Sequence, residues 1–382
     1  MPMSHPAWIE VDTSALVHNA GVLRRAIPTG TRLGLMVKAN GYGHGLELAA
    51  RAAVRADADL LMVATLDEAL AVRAAGIDAP LLVVYPIPPD GVGEAVAAGV
   101  QLSVSGLDSA RRLLRAWEAW GQGSRDGLAL HVEIDTGMGR GGVAPDALVD
   151  VAAMIEAVGG ARVESAWTHL ADGSDAGLSG DQTRRFEEGL AQLEATGRGR
   201  PMRHVAATEG LFVGTSPAYD MVRIGLAYYG ELGVDVEPAP STAALAAQLR
   251  PAMTVKARAV RLESVPSGAS IGYGREWTTE RPSVIATLPV GYADGWARRY
   301  WPGASALVRG HRVPLVGRVS MDSVCADVTG VPDVRFEDEF VLLGIQGTER
   351  ITANELARLR ESIPNEVFCA FGPRLPRVER TD

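Results

Sequence analysis

The sequence is short of cysteine, of basic clusters and of long apolar runs, and each shortage closes off a class of protein. Cys325 and Cys369 are the two cysteines of 382 residues. Their separation matches no metal-ligand or disulfide spacing, so they read as reduced thiols in a cytoplasmic protein. No apolar stretch reaches the roughly 18 residues that a membrane-spanning helix needs. Residues 1–10 carry no basic segment followed by a long apolar run, which argues against a secretory signal. No block of Lys and Arg interrupts a formal charge of −9, so nucleic acid is not an expected partner. Low-complexity tracts are absent, as is any internal repeat beyond a strand–helix rhythm.

What the chain does have is apolar material and that rhythm. Hydrophobic residues make up 47% of the sequence, enough for a large barrel with an added domain. Short apolar runs without alternation occur at 33–37, 60–64, 81–85, 102–104, 128–134, 163–167, 204–207 and 221–226. Runs of this kind read as strands buried on both faces, the mark of a parallel sheet. Amphipathic helical patterns separate most of them. Eight such strands predict an N-terminal (β/α)8 barrel over residues 1–235, with the first strand, 8–11, free to join a second domain. An open doubly wound sheet is the competitor. Gly41, Gly43 and Gly45 lack the spacing of a dinucleotide fingerprint, which favours the barrel. Asp12 or Thr13 is placed to cap the first helix. Beyond Tyr229-Gly230 a proline-bearing linker leads into a mainly-β domain, 236–382. Strands are predicted there at 253–265, 283–290, 306–313, 323–328 and 340–345. One helix is predicted at 352–359, with Thr352 as cap and Glu355 completing a capping box.

In a barrel, working residues sit where strands end. Lys38 ends the first barrel strand and opens into Ala39-Asn40-Gly41-Tyr42-Gly43-His44-Gly45. An amine desolvated at a barrel mouth loses basicity and becomes a nucleophile for carbonyls. Asp135–Arg140 follows strand five, His169 follows strand six, and Thr208 and Glu209 follow strand seven. Arg223-Ile224-Gly225 lies on strand eight. Polar loops alone do not aim a lysine, a histidine and two arginines at one mouth.

These blocks resemble the alanine racemases, fold-type III enzymes that use pyridoxal 5′-phosphate (PLP). The likeness runs from about Trp8 to Arg377, with the motifs in the family's order. It implies that Lys38 carries PLP as a Schiff base. Arg140, in Asp135-Thr136-Gly137-Met138-Gly139-Arg140, would meet the PLP phenolic oxygen and the substrate carboxylate, and a forked guanidinium suits both. Arg223 would face the pyridine nitrogen and leave it unprotonated. Tyr42, Thr208 and the backbone of Gly225 and Leu226 would hold the phosphate. Ser270-Ile271-Gly272-Tyr273-Gly274-Arg275 resembles the segment of the catalytic tyrosine. Lys38 and Tyr273 would then serve opposite faces of the substrate, with a relay from Tyr273 through His169 to Arg223. Tyr292 would line the access channel, and the Met321 N–H would approach the substrate carboxylate. In the family these β-domain residues reach the barrel of another subunit, so a homodimer with shared sites is implied. No metal is implied. The implied product is D-alanine for the cell wall.

Departures leave the substrate open. Ala207-Thr208 stands where the family usually reads Asn-Ser, and Glu209 would repel a phosphate unless it pointed away. Glu133 replaces a lysine whose carbamate orients the neighbouring arginine in some members, and could orient Arg140 likewise. Asn365 and Pro373 fall at two tyrosine positions, with Pro373 expected to widen the pocket mouth. A racemase of serine or of several small amino acids, and a PLP-binding relative without turnover, remain alternatives. A decarboxylase of this fold type finds no match to its paired Cys and Asp.

Overall fold

The computed structural model describes residues 5–121 and 127–381. β1 (Ala7–Asp12) precedes eight parallel strands: β2 (Arg32–Met36), β3 (Leu60–Val63), β4 (Leu81–Val83), β5 (Val100–Val104), β6 (Leu128–Glu133), β7 (Ala161–Trp167), β8 (Met202–His204) and β9 (Met221–Ile224). Each pairs with the next, and β9 returns to β2 to close the barrel. β3 and β4 are buried at every position, which is why their sequences run apolar without alternation.

Alternation inside the barrel separates two walls. Leu33, Leu35, Leu61, Val63 and Val222 pack outward into the main core. Met36, Leu60, Met62, Leu82, Val84 and Met221 form a second, enclosed apolar cluster. Gly34 makes room for it, since a side chain there would meet Met62 Cε at 2.5 Å. The opposite wall is polar: Gln101, His131, Ser165, His204 and Arg223 come from β5 to β9.

Helices follow β1 and most of the barrel strands, and their caps are written in the sequence. The Asp12 carboxylate accepts the Ala15 N–H (2.7 Å) and starts the helix Thr13–Ala26. Thr65 and Glu68 form a reciprocal capping box on the helix Leu66–Ala74.

β1 leaves the barrel's company and joins the second domain. It pairs antiparallel with Met253–Arg258 and parallel with Arg377–Arg380, in a ten-stranded sheet. Several expected elements differ. The run 253–265 is two strands, Met253–Arg258 and Arg261–Val265, far apart in the sheet order. The run 306–313 is a hairpin, Ser305–Val308 with His311–Val316, because Arg309 and Gly310 both turn at positive φ. Thr352 caps its helix through the Glu355 N–H, but the Glu355 side chain reaches Arg312 instead of closing a box. The helix Pro364–Ala370 was not anticipated; it packs against the turn that follows Lys38.

Candidate active site

At the mouth of the barrel lies a cavity of about 420 Å³ lined by Lys38, Tyr42, Arg140, His169, Thr208, Arg223, Gly225 and Leu226, among others. Eight of the sequence-derived candidates therefore converge in one place. Tyr273, Tyr292 and Met321 do not line it.

Lys38 lies just past β2, not within it. Ala39, Asn40, Gly41 and Tyr42 follow at φ 53°, 55°, 61° and 49°, a left-handed turn. L-residues in this region cost roughly 1–2 kcal/mol each, so three non-glycine members need outside support. Gly41 N–H donates to Val37 O and Gly43 N–H to Ala39 O, both at 2.9 Å. The Asn40 side chain accepts the Leu46 N–H (2.9 Å). His44 Nδ1 donates to the carbonyls of Gly41 (3.1 Å) and Tyr42 (3.0 Å). Its ring stacks on Tyr229 at 4.4 Å, and Tyr229 also stacks on Tyr42 and bonds Met36 O. Burial pushes His44 down to about 4, so it stays neutral. Gly43 has no alternative residue, because a Cβ there would sit 2.2 Å from Phe368 O.

Burial lowers the basicity of the Lys38 amine, and Arg140 and Arg223 lower it further against the opposing pull of Glu68 and Cys369. The Lys38 ammonium and the Arg140 guanidinium each lie 5.9 Å from the Tyr85 ring centre.

Arg223 forms the floor. It is 5% exposed and lies over the Trp167 ring at 4.9 Å. One terminal nitrogen donates to His204 Nδ1 (3.0 Å) and His204 O (2.7 Å). The other donates to Thr168 O (2.8 Å), Val205 O (3.2 Å) and His169 Nδ1 (3.3 Å). None of these contacts uses Nε. A guanidinium donates and never accepts, so the direction of the chain behind it is fixed. His204 Nδ1 must accept, His204 Nε2 then donates to Ser165 Oγ (2.7 Å), and Ser165 donates to His131 Nδ1 (2.6 Å). His131 Nε2 ends the chain on Gln101 Oε1 (2.7 Å). Every histidine in it is neutral. Burial, aided for His169 by Arg223, holds His131 and His169 near 3 and His204 well below its usual value. Burial brings Arg223 down to about 10, and it stays protonated at neutrality.

A cradle sits beside Tyr42. Any Cβ on Gly225 would come 2.6 Å from Tyr42 Oη, so the wall there is bare backbone. Thr208 Oγ1 accepts the Ala227 N–H (3.3 Å), which ties the start of the helix Thr208–Val213 to the turn Leu226–Tyr229. Burial raises the Tyr42 phenol, keeping it a neutral donor. The Glu209 carboxylate faces Gly233, 2.7 Å from where that residue's Cβ would be.

Two expectations about departures change. Asn365 lines the cavity together with Ile363, whereas Pro373 does not, so Asn365 is the substitution that shapes the mouth. Glu133 is 7% exposed, and among the described residues it makes no hydrogen bond or ion pair with Arg140. Its charge acts on Arg223 instead.

Tyr273, Met321 and Tyr292 are 67%, 52% and 42% exposed. They form one surface patch of the β domain. Tyr292 N–H donates to Ser320 O and Ala293 N–H to Met321 O, each at 3.0 Å. Gly272, before Tyr273, packs so closely on Arg318 that a Cβ would lie 3.0 Å from its backbone nitrogen.

Both halves of the chain match family models: alanine racemase, N-terminal domain, over residues 11–233, and alanine racemase, C-terminal domain, over residues 252–379. An alanine racemase of Symbiobacterium thermophilum is 39% identical over 374 residues, 97% of this chain and 96% of that protein. Among solved structures, the alanine racemase of Streptomyces coelicolor A3(2) matches with a TM-score of 0.89 and 34% identity, covering 99% of this chain and 98% of that one. The Bacillus anthracis enzyme with bound L-Ala-P matches with a TM-score of 0.89 and 31% identity, covering 100% and 97%.

Proposed function

The chain belongs to the alanine racemase family, and from that premise we propose that it interconverts the enantiomers of a small amino acid, L-alanine foremost, with PLP held on Lys38. The observation that carries this reading is Lys38 itself: an amine of lowered basicity, fixed by a strained turn at the mouth of a closed barrel.

The residues present fit PLP. The bare cradle at Gly225, with Tyr42, Thr208 and the Leu226 N–H around it, suits a phosphate. Arg223 keeps Nε for a ring nitrogen, and its proton cannot be surrendered there. The neutral chain from His204 to Gln101 leaves the guanidinium charge undiluted. When bound, PLP supplies the electron withdrawal that loosens the substrate's α-hydrogen.

The protein's own groups do the rest. Lys38 Nζ holds or releases a proton on one face of the α-carbon. The other face needs a second acid–base group. Tyr273 is two-thirds exposed and does not line the cavity of its own chain. We assign it to the cavity of a second copy, with Met321 and Tyr292 beside it. Arg140 pairs with the substrate carboxylate, and the neutral His169 accepts from Arg223 and turns its other ring nitrogen to the tyrosine. The family's place in D-alanine supply for the cell wall follows from this reading.

Asn365 at the mouth favours a broader second reading, in which serine is also accepted. Proton NMR of L-alanine and L-serine in deuterated water, with chiral chromatography of the same samples, separates the two. Loss of the α-proton with appearance of the D-enantiomer establishes racemisation, and the faster substrate fixes the preference. No exchange of either, with PLP bound, would overturn the reading.

A further inference from the structure

The left-handed turn after Lys38 is held from outside at both ends: Arg377 Nε donates to Gly43 O (2.9 Å), and a carboxylate meets its first residue. Its own bonds join Gly41 to Val37 and Gly43 to Ala39, and the Ala39 N–H is met by Glu68 Oε1 at 2.6 Å. Glu68 stands in the first turn of the helix Leu66–Ala74, after β3. Its second oxygen accepts the Ala64 N–H (2.8 Å) and, at 3.4 Å, the Thr65 N–H. β2 and β3 are neighbours, paired Met36 with Met62, so their mouths lie side by side and one carboxylate spans both. A helix cap needs only the bonds to residues 64 and 65; the bond to Ala39 is surplus to capping. Charge-assisted bonds of this kind are the strong ones.

We propose that Glu68 is a positioning residue: it fixes the strained turn that aims Lys38 into the cavity and sets a negative charge against the two arginines that face the amine. This rests on Lys38 being the PLP lysine. The groups that act on Lys38 come from every side: Arg140 after β6, Arg223 on β9, Cys369 on the helix Pro364–Ala370, Tyr85 after β4, and Glu68. His169, also facing it, is neutral. Among these, Glu68 is the one that also bonds the backbone beside Lys38, at the Ala39 N–H.

The chain offers an unusually clean test, because Lys38 and Lys256 are its only lysines. Lys256 is clamped between Glu10 and Glu339, each at 2.9 Å, and serves as an internal reference. The full chain, freed of PLP, is acylated across a pH series and Lys38 modification is read by mass spectrometry. PLP retention is followed in the loaded protein by its visible absorbance. Glu68→Gln and Glu68→Ala should both move the Lys38 midpoint down by about half a pH unit or more, since each removes the charge that opposes Arg140 and Arg223. Glu68→Ala, which also frees Ala39, should weaken PLP retention about tenfold, while Glu68→Gln, whose one carbonyl oxygen can still accept from Ala39 at the expense of the bonds to Ala64 and Thr65, should lose less. Thr65→Val breaks the same capping box without touching the turn and should move neither readout. An unmoved Lys38 midpoint in both Glu68 variants, or the same losses in Thr65→Val, would overturn the proposal. PLP that fails to protect Lys38 of the unaltered chain from acylation would instead overturn the parent reading, and this one with it.

Discussion

The barrel mouth and the Tyr273 patch are built on opposite principles. At the mouth the floor is bonded in place: Arg223 has acceptors on both terminal nitrogens, and behind it a directed chain runs through two histidines and a serine. On the β domain, Tyr273 is two-thirds exposed, and the ion pairs of its neighbourhood, Arg318 with Glu276 and Arg374 with Asp322, lie at the surface. The difference teaches that one chain by itself holds a charged, buried half-site, and under the proposed function the group for the other face of the substrate lies on its surface. Burial at the mouth serves electrostatics: it lowers the basicity of Lys38, and although it lowers that of Arg223 as well, the nearby Glu133 charge opposes the loss and Arg223 stays protonated at neutrality.

Substitutions should separate the halves. Lys38→Ala should abolish turnover and the visible absorbance of lysine-bound PLP; persistence of that absorbance would remove Lys38 from the account. Tyr273→Phe should slow α-hydrogen exchange of one enantiomer by roughly 10²–10⁴-fold and the other far less, with thermal stability unchanged, since the hydroxyl supports nothing in its own chain. Equal losses for both enantiomers would argue against two bases. Ser165→Ala should do the reverse in kind. It strands His131 Nδ1 and His204 Nε2 in the interior, costing about 1–3 kcal/mol in a urea titration, before any effect on catalysis.

The smallest effect is acid sensitivity. His131 titrates near 6.5 when unfolded and near 3 when folded. The unfolded chain therefore takes up the proton first, and stability falls as pH drops below the unfolded value. Each such histidine should cost about 1 kcal/mol between roughly pH 7 and pH 5.5. Urea midpoints at the two pH values measure it, and His131→Gln should flatten the dependence.

The barrel was legible because its strands are buried on both faces, a pattern that depends only on local sequence. The mouth residues were legible because they end those strands. What escaped needed neighbours far apart in the chain. Gln101, His131 and Ser165 are polar residues inside apolar runs, a signal present in the sequence, but their union into one chain depends on strand register. Glu68 reads as an ordinary capping residue until β2 and β3 are seen side by side. The role given to Pro373 fell to Asn365, because Asn365 sits on a helix packed against the turn after Lys38, whereas Pro373 lies in the turn beyond that helix, which spacing alone does not place. Lys38 was legible from its place at the end of an apolar run and from the glycine-rich string that follows it; that the other lysine, Lys256, is locked in ion pairs took the structure to see.

The central claim is that a working site takes Lys38 from one copy and Tyr273 from another. Co-expression of Lys38→Ala chains with Tyr273→Phe chains tests it most directly. Each variant alone is impaired, yet a mixed dimer contains one cavity with both groups intact. Random pairing should restore about a quarter of unmodified activity. Recovery near that level, absent when the two pure variants are assayed separately, is the predicted result. No recovery in verified mixed dimers would place both groups in one chain and contradict the account.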